Sequence, residues 1–244
     1  MNVDACCTLG VDREYDLTAD ALLNAMDAAR VDRAVIAPVD RHLAATNREG
    51  NDFILREAAA HPDRLIPACC VNPWYGEEAV GELRRSLAAG ARVLVLHPFV
   101  QGFLANDELV WPVLDAAAEA AVPVYIHTGP PGNATPWMVV DLAERYPTVS
   151  FLMGHCGATD FWNDVVPAAQ AAPNVFLESS LARPFGFARY IEELGAERGI
   201  VGSHAPLHDL EFEWGQMRAV LPPERWPGIY GDNLLRLLQP GGSA

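Results

Sequence analysis

Four short apolar runs in this chain climb to a histidine and stop at Gly, Ala or Pro: VLVLHP at His97, VYIHTG at His127, FLMGHCG at His155 and VGSHAPL at His204. Each run reads as a buried strand of a parallel sheet, and the exit of such a strand is where catalytic groups usually stand. Imidazole titrates near neutrality, so histidines in that position point to acid–base chemistry. Four of the seven histidines in the chain occupy this one kind of place, which makes the pattern the first lead to function.

The elements that would hold them alternate from end to end. Strands are expected over NVDACC, DRAVIAP, RLIPACCV, ARVLVLH, PVYIHT, SFLMGHC, NVFLESS and GIVGSHA. Between them run amphipathic stretches such as TADALLNAMDAAR, EEAVGELRRSLAAG and DELVWPVLDAAAEAA, with Thr18 as an N-cap and Gly90 as a C-cap. Eight strand–helix units in roughly 250 residues is the size of a (β/α)8 TIM barrel, the expected α/β fold, as one domain over 1–239 with a disordered tail at 240–244. A doubly wound open sheet is the alternative, and it fits less well because no Gly-rich phosphate loop follows the first strand.

Composition narrows the chemistry. A charge of −15 without a basic run repels a phosphate backbone, so no nucleic-acid partner is expected. No apolar stretch is long enough to span a bilayer and the start MNVDACCTLG has no signal-peptide pattern, so the expectation is a cytoplasmic enzyme acting on a small molecule, with homo-oligomerisation left open. The chain has no lysine, which removes Schiff-base chemistry and a lysine carbamate bridging paired metals. Five cysteines, four of them in the adjacent pairs Cys6-Cys7 and Cys69-Cys70, make a poor disulfide framework.

Strand alternation predicts facing. If His127 points into the barrel so does Tyr125, and by the same rule Val95 goes with His97, Met153 with His155 and Gly202 with His204. On the first strand Asp4, Cys6 and Thr8 should share one face and Ala5 and Cys7 the other. Ala5 suits the helix layer, which puts Cys6 and Thr8 at the mouth.

The stretch NDFILREAAAHPDRLIPACCVNP, together with PVYIHTG, SFLMGHCG, GSHAPL and the closing IYGDNLLRLL, resembles in content and order the amidohydrolase-related barrels, which include aminocarboxymuconate semialdehyde decarboxylase and related decarboxylases and hydrolases. In that family a divalent metal is held by a His-x-His pair on the first strand, a histidine on the fifth and an aspartate on the eighth, while a histidine on the sixth meets substrate or water. The resemblance assigns His127 to the fifth-strand ligand and His155 to the sixth-strand histidine. It breaks elsewhere: the first strand reads Cys6-Cys7-Thr8, and His204 stands where the family has aspartate.

Two catalytic readings and one non-catalytic reading follow. In the first, a mononuclear metal, zinc by preference, sits on Cys6, His127 and His204, because a thiolate with two neutral imidazoles carries the same single negative charge as the family's set. It would polarise a substrate carbonyl or carboxylate for hydrolysis or decarboxylation, with His155 as acid/base group. In the second, the barrel works without metal through a Cys6 thiolate or the histidines alone, as a lyase, isomerase or hydrolase. The third is a barrel that binds a small molecule or supports a partner subunit without catalysis.

Further residues complete the expected site. His97 is a substrate contact or a cap on backbone groups at its strand end, and Thr8 is a weak ligand or hydrogen-bond donor. Glu178 is an acid/base group or a partner behind the ligands. Arg183 in SSLARPFG clamps a substrate carboxylate or is a solvated loop arginine, and Trp74 and Trp137 offer aromatic surface to a flat ligand. Cys7 is expected to pack behind the barrel, Cys69 and Cys70 in the core, His61 at a helix C-terminus, and His42 and His208 at the surface.

Overall fold

The strand-like segments pair into one nine-stranded sheet in the computed structural model, which describes residues 1–158 and 160–239. The expected tail at 240–244 lies outside the described residues. The strands are β1 (Val3–Val11), β2 (Asp16–Leu17), β3 (Arg33–Pro38), β4 (Leu65–Cys70), β5 (Val93–Leu96), β6 (Val124–His127), β7 (Phe151–Gly154), β8 (Val175–Glu178) and β9 (Gly199–Ile200). β1 pairs with β3, and from there each strand pairs parallel with the next; only β2 is antiparallel, a short hairpin return on the end of β1 that the sequence did not announce. Strand order follows chain order, without the reversal that defines a doubly wound sheet.

Parallel pairing needs a crossover after each strand, and helices supply it. They are α1 (Ala19–Ala29), α2 (Asp40–Ala44), α3 (Asn47–Ala60), α4 (Glu77–Ala88), α5 (Pro98–Gln101), α6 (Trp111–Glu119), α7 (Pro136–Arg145), α8 (Val165–Ala171), α9 (Pro184–Leu194), α10 (Leu210–Val220) and α11 (Asp232–Leu237). Thr18 caps α1 by accepting from the Ala21 amide, as its position predicts, and Gly90 follows α4 with φ of +113°.

The sheet is curled, and its ends approach each other. The Ala5 amide donates to the Val201 carbonyl at 3.1 Å, the His204 amide to Cys6 at 2.8 Å and the Thr8 amide to Ala205 at 2.7 Å. Two apolar layers result. Val93, Val95, Tyr125, Leu152, Phe176 and Ile200 pack inside the curl, while Leu94, Leu96, Ile126, Met153, Leu177 and Val201 face the helices. Alternation therefore sets Val95 with His97 and Tyr125 with His127 as expected.

Two facing expectations fail. The β1–β3 register shifts between Asp4 and Cys7, and this bulge breaks the two-residue period. Asp4 turns toward α10, where its carboxylate accepts from Trp214 Nε1 at 2.6 Å, from the Cys6 amide at 2.9 Å and from the Ser203 amide at 3.1 Å. Ala5 and Cys6 consequently both lie in the inner cluster, so Ala5 does not face the helices; Cys7 does pack behind, its thiol 3.7 Å from Ser203 Oγ. Met153 also belongs to the helix layer rather than to the face of His155, because the chain leaves the strand at Gly154 and His155 takes φ of +67° to bring its ring inward.

Candidate active site

Four imidazoles converge at the carboxyl ends of β5, β6 and β7 and in the segment after β9. The ring of His97 stacks on that of His127 with centroids 4.2 Å apart and planes 8° from parallel. His127 and His155 lie 4.9 Å apart by centroid, His155 and His204 4.5 Å, and His127 and His204 5.5 Å. Nδ1 of His127 meets Nε2 of His155 at 2.8 Å. His127, His155 and His204 are buried, and each offers a nitrogen within 4.8 Å of the others, forming the one group of metal-ligating side chains found among the described residues. Cys6 is not in that group.

Each ring is held by its strand end. Gln101 of α5 accepts from the His97 amide at 2.8 Å and donates to the carbonyls of Leu43 and Val71, tying the exits of β4 and β5 to α2. The His97 Nδ1 then accepts from the Val100 amide at 3.4 Å, so the ring proton sits on Nε2. Thr128 donates to the Gly154 carbonyl and accepts from the Gly157 amide at 2.8 Å, fixing the turn that carries His155. His204 takes φ of +60°, as His155 does at +67°, and these strained conformations deliver both rings to one spot. Asn51, in the stretch that carries the family resemblance, pairs with both backbone groups of Cys70 at 2.9 Å and anchors β4 beside this end.

Beneath the rings lies Glu178, with no solvent exposure. Its Oε2 accepts from Tyr125 Oη at 2.6 Å, from Ser180 Oγ at 2.7 Å and from the His155 amide at 3.2 Å, and its Oε1 from the Ser180 amide at 2.8 Å. His155 Nδ1 stands 2.8 Å from Ser180 Oγ. Room for this network comes from two glycines. A Cβ on Gly154 would lie 2.5 Å from the Tyr125 ring, and one on Gly202 would lie 2.3 Å from Glu178 Oε1.

Burial dominates the electrostatics. It holds His97 and His155 down to about 3 and His127 and His204 well below the usual histidine range, with the neighbouring imidazoles adding to the effect. All four are neutral at physiological pH and keep a nitrogen lone pair. Burial also pushes the Cys6 thiol well up, reinforced by the Glu178 charge and opposed by Tyr125, so Cys6 keeps its proton. Burial raises Glu178, against the pull of Tyr125 and Ser180. His204 Nδ1 is buried without a hydrogen-bond partner, a cost that a bound group would remove.

Of the other sequence candidates, two line this end of the sheet and the rest lie apart from the histidines. Cys6 and Thr8 line a small cavity with Tyr125, Val93, Val95 and His127. Asp40, at the start of α2, lines it too, and its only signal in the sequence is its place just past a strand end. Its carboxyl is raised by burial and by Asp12. Arg183, Trp74 and Trp137 are solvent-exposed, and Trp74 Nε1 donates to the Gly102 carbonyl at 3.3 Å. His61 stands at the C-terminus of α3, and His208 lies 3.6 Å from Glu213.

A curled, mainly parallel α/β sheet with ionisable groups gathered at the carboxyl ends of its strands is the architecture of the TIM-barrel-like α/β folds. The chain belongs to the amidohydrolase family, whose sequence model matches residues 10–239. No curated protein matches it in sequence. Among solved structures it is similar to an uncharacterised TIM-barrel protein from Bordetella bronchiseptica, at 17% identity over 99% of each chain with a TM-score of 0.78. It is also similar to a 2,6-dihydroxybenzoate decarboxylase from Rhizobium, at 16% identity over 97% of this chain and 98% of that one with a TM-score of 0.77. A third similar structure is the 5-carboxyvanillate decarboxylase of Novosphingobium aromaticivorans, complexed with manganese and a nitrobenzoic acid, at 15% identity over 98% and 96% with a TM-score of 0.80. Identities this low carry the fold alone. No helix among the described residues is long and apolar enough to cross a membrane.

Proposed function

We propose that this chain is a metal-dependent carboxy-lyase built on a closed (β/α)8 barrel, with one divalent cation, zinc by preference, on His127, His155 and His204. The observation that carries the reading is the set of three neutral, buried imidazoles with ligand atoms within 4.8 Å, one of them holding an unpartnered nitrogen. Neutral histidine is the form that binds metal, and three histidines with an open fourth position suit catalytic zinc. This set differs from the Cys6, His127 and His204 set expected from sequence in taking His155 for Cys6, which is not among the grouped side chains. Backbone bonds from β1 to residues 201–205 support closure of the barrel. When bound, the cation supplies Lewis-acid polarisation of a carbonyl or carboxylate oxygen.

The chain's own groups do the rest. Thr8 presents a hydroxyl to a substrate oxygen in the cavity beside His127, and His97, stacked on His127, keeps an Nε2–H for the same task, while Val93 and Val95 give the cavity an apolar side. Cys6 holds a proton on Sγ at neutral pH, available to the carbon from which carbon dioxide departs. Loss of a carboxylate, unlike hydrolysis, needs no water as co-substrate, and two of the similar structures are decarboxylases of small aromatic acids. The test is carbon dioxide release from a panel of hydroxylated aromatic acids by metal-loaded protein. Release abolished by chelator and restored by zinc or manganese supports the reading. Turnover of ester or amide substrates without any decarboxylation assigns the site to hydrolysis instead.

A further inference from the structure

We infer that Glu178 and Ser180 are positioning residues that fix the tautomer of His155, placing its ring proton on Nδ1 and its lone pair on Nε2, toward His127 and His204. Two backbone amides, of His155 and Ser180, can only donate, and both end on the Glu178 carboxylate, which makes it the acceptor at the base of the chain. Ser180 has one hydroxyl proton and gives it to Glu178 Oε2 at 2.7 Å. Its Oγ therefore accepts from His155 Nδ1 at 2.8 Å, and that ring nitrogen carries the proton. The other nitrogen, Nε2, is left as an acceptor, 2.8 Å from Nδ1 of His127.

The arrangement is expensive to build for packing alone. A fully buried carboxylate costs stability even when satisfied, and Gly154 and Gly202 both give up a side chain to admit it and Tyr125. What it supplies is a fixed orientation of one imidazole, the role that partners behind metal-bound histidines play generally. The consequence for metal affinity rests on the three-histidine reading above; the tautomer does not.

The experiment is a long-range proton–nitrogen correlation spectrum of nitrogen-15 histidine-labelled protein after chelator treatment, with zinc titrations of native protein and Ser180→Ala alongside. The expected spectrum shows His155 as the Nδ1–H tautomer in native protein and a mixture with Nε2–H in Ser180→Ala, while zinc affinity falls about 10- to 100-fold in the variant. A native His155 protonated on Nε2 overturns the inference, and so does a Ser180→Ala variant with an unchanged tautomer. If native protein shows Nδ1–H yet takes up no metal, the tautomer assignment stands and the metal reading falls.

Discussion

Replacing Gly202 by alanine is expected to damage the centre of the site through a single methyl group. The new Cβ would sit 2.3 Å from Glu178 Oε1, 3.0 Å from its Cδ and 3.3 Å from the Cys6 amide nitrogen. Glu178 has no solvent to retreat into and is held by four donors, so it cannot swing aside without leaving some of them. Overpacking of this kind costs roughly 1–3 kcal/mol. Losing one hydrogen bond to the buried carboxyl group adds about 1.5–3 kcal/mol, for a total of about 2.5–6 kcal/mol. Gly81→Ala is the control: its Cβ would meet nothing within 4 Å on the exposed face of α4, and it should stabilise by about 0.5–1 kcal/mol. Urea unfolding of metal-stripped protein measures both, read from the midpoint at constant slope. A Gly202→Ala variant within about 1 kcal/mol of native would refute the packing argument.

Three further outcomes are expected. His97 has a folded pKa of about 3, below its unfolded value, so its contribution is present above about pH 6.5 and is lost as pH falls toward 3. His97→Gln should therefore lose about 2 kcal/mol less stability than native between pH 7.5 and pH 5 in metal-stripped protein; equal losses would contradict the burial of a neutral ring. Trp214→Phe removes the Nε1 donor from buried Asp4 and should cost about 2–4 kcal/mol by denaturant unfolding, whereas a cost under about 0.5 kcal/mol would show that the bulge on β1 does not depend on it. Alkylation of native Cys6 near pH 7 should be slow, because burial keeps the thiol protonated, and stoichiometric labelling within minutes would favour the metal-free nucleophile.

The periodic part of the fold was legible. Apolar runs of four to six residues with helices between them predicted β3 to β8 to within two or three residues, because a strand buried on both faces has little compositional freedom. The β1 bulge was not legible, since nothing in VDACCTLGV marks where two residues will oppose one; the clue was Asp4, too polar to point into an apolar barrel without partners. The histidines were found from sequence, but their grouping depended on positive φ at His155 and His204, a property no side-chain pattern declares. The metal set was accordingly drawn through Cys6 by charge analogy, while the structure gathers His155 with His127 and His204. Glu178 was visible as a strand-end acid; its depth beneath His155 came only from the glycines opposite it.

Whether zinc sits on His127, His155 and His204 is measured by X-ray absorption of zinc-loaded protein paired with elemental analysis. The expected result is about one zinc per chain with nitrogen and oxygen neighbours at about 2.0–2.1 Å, and loss of that zinc in His204→Ala. A sulfur neighbour at about 2.3 Å would return Cys6 to the ligand set, and protein that takes up less than about a tenth of an equivalent would contradict the centre altogether.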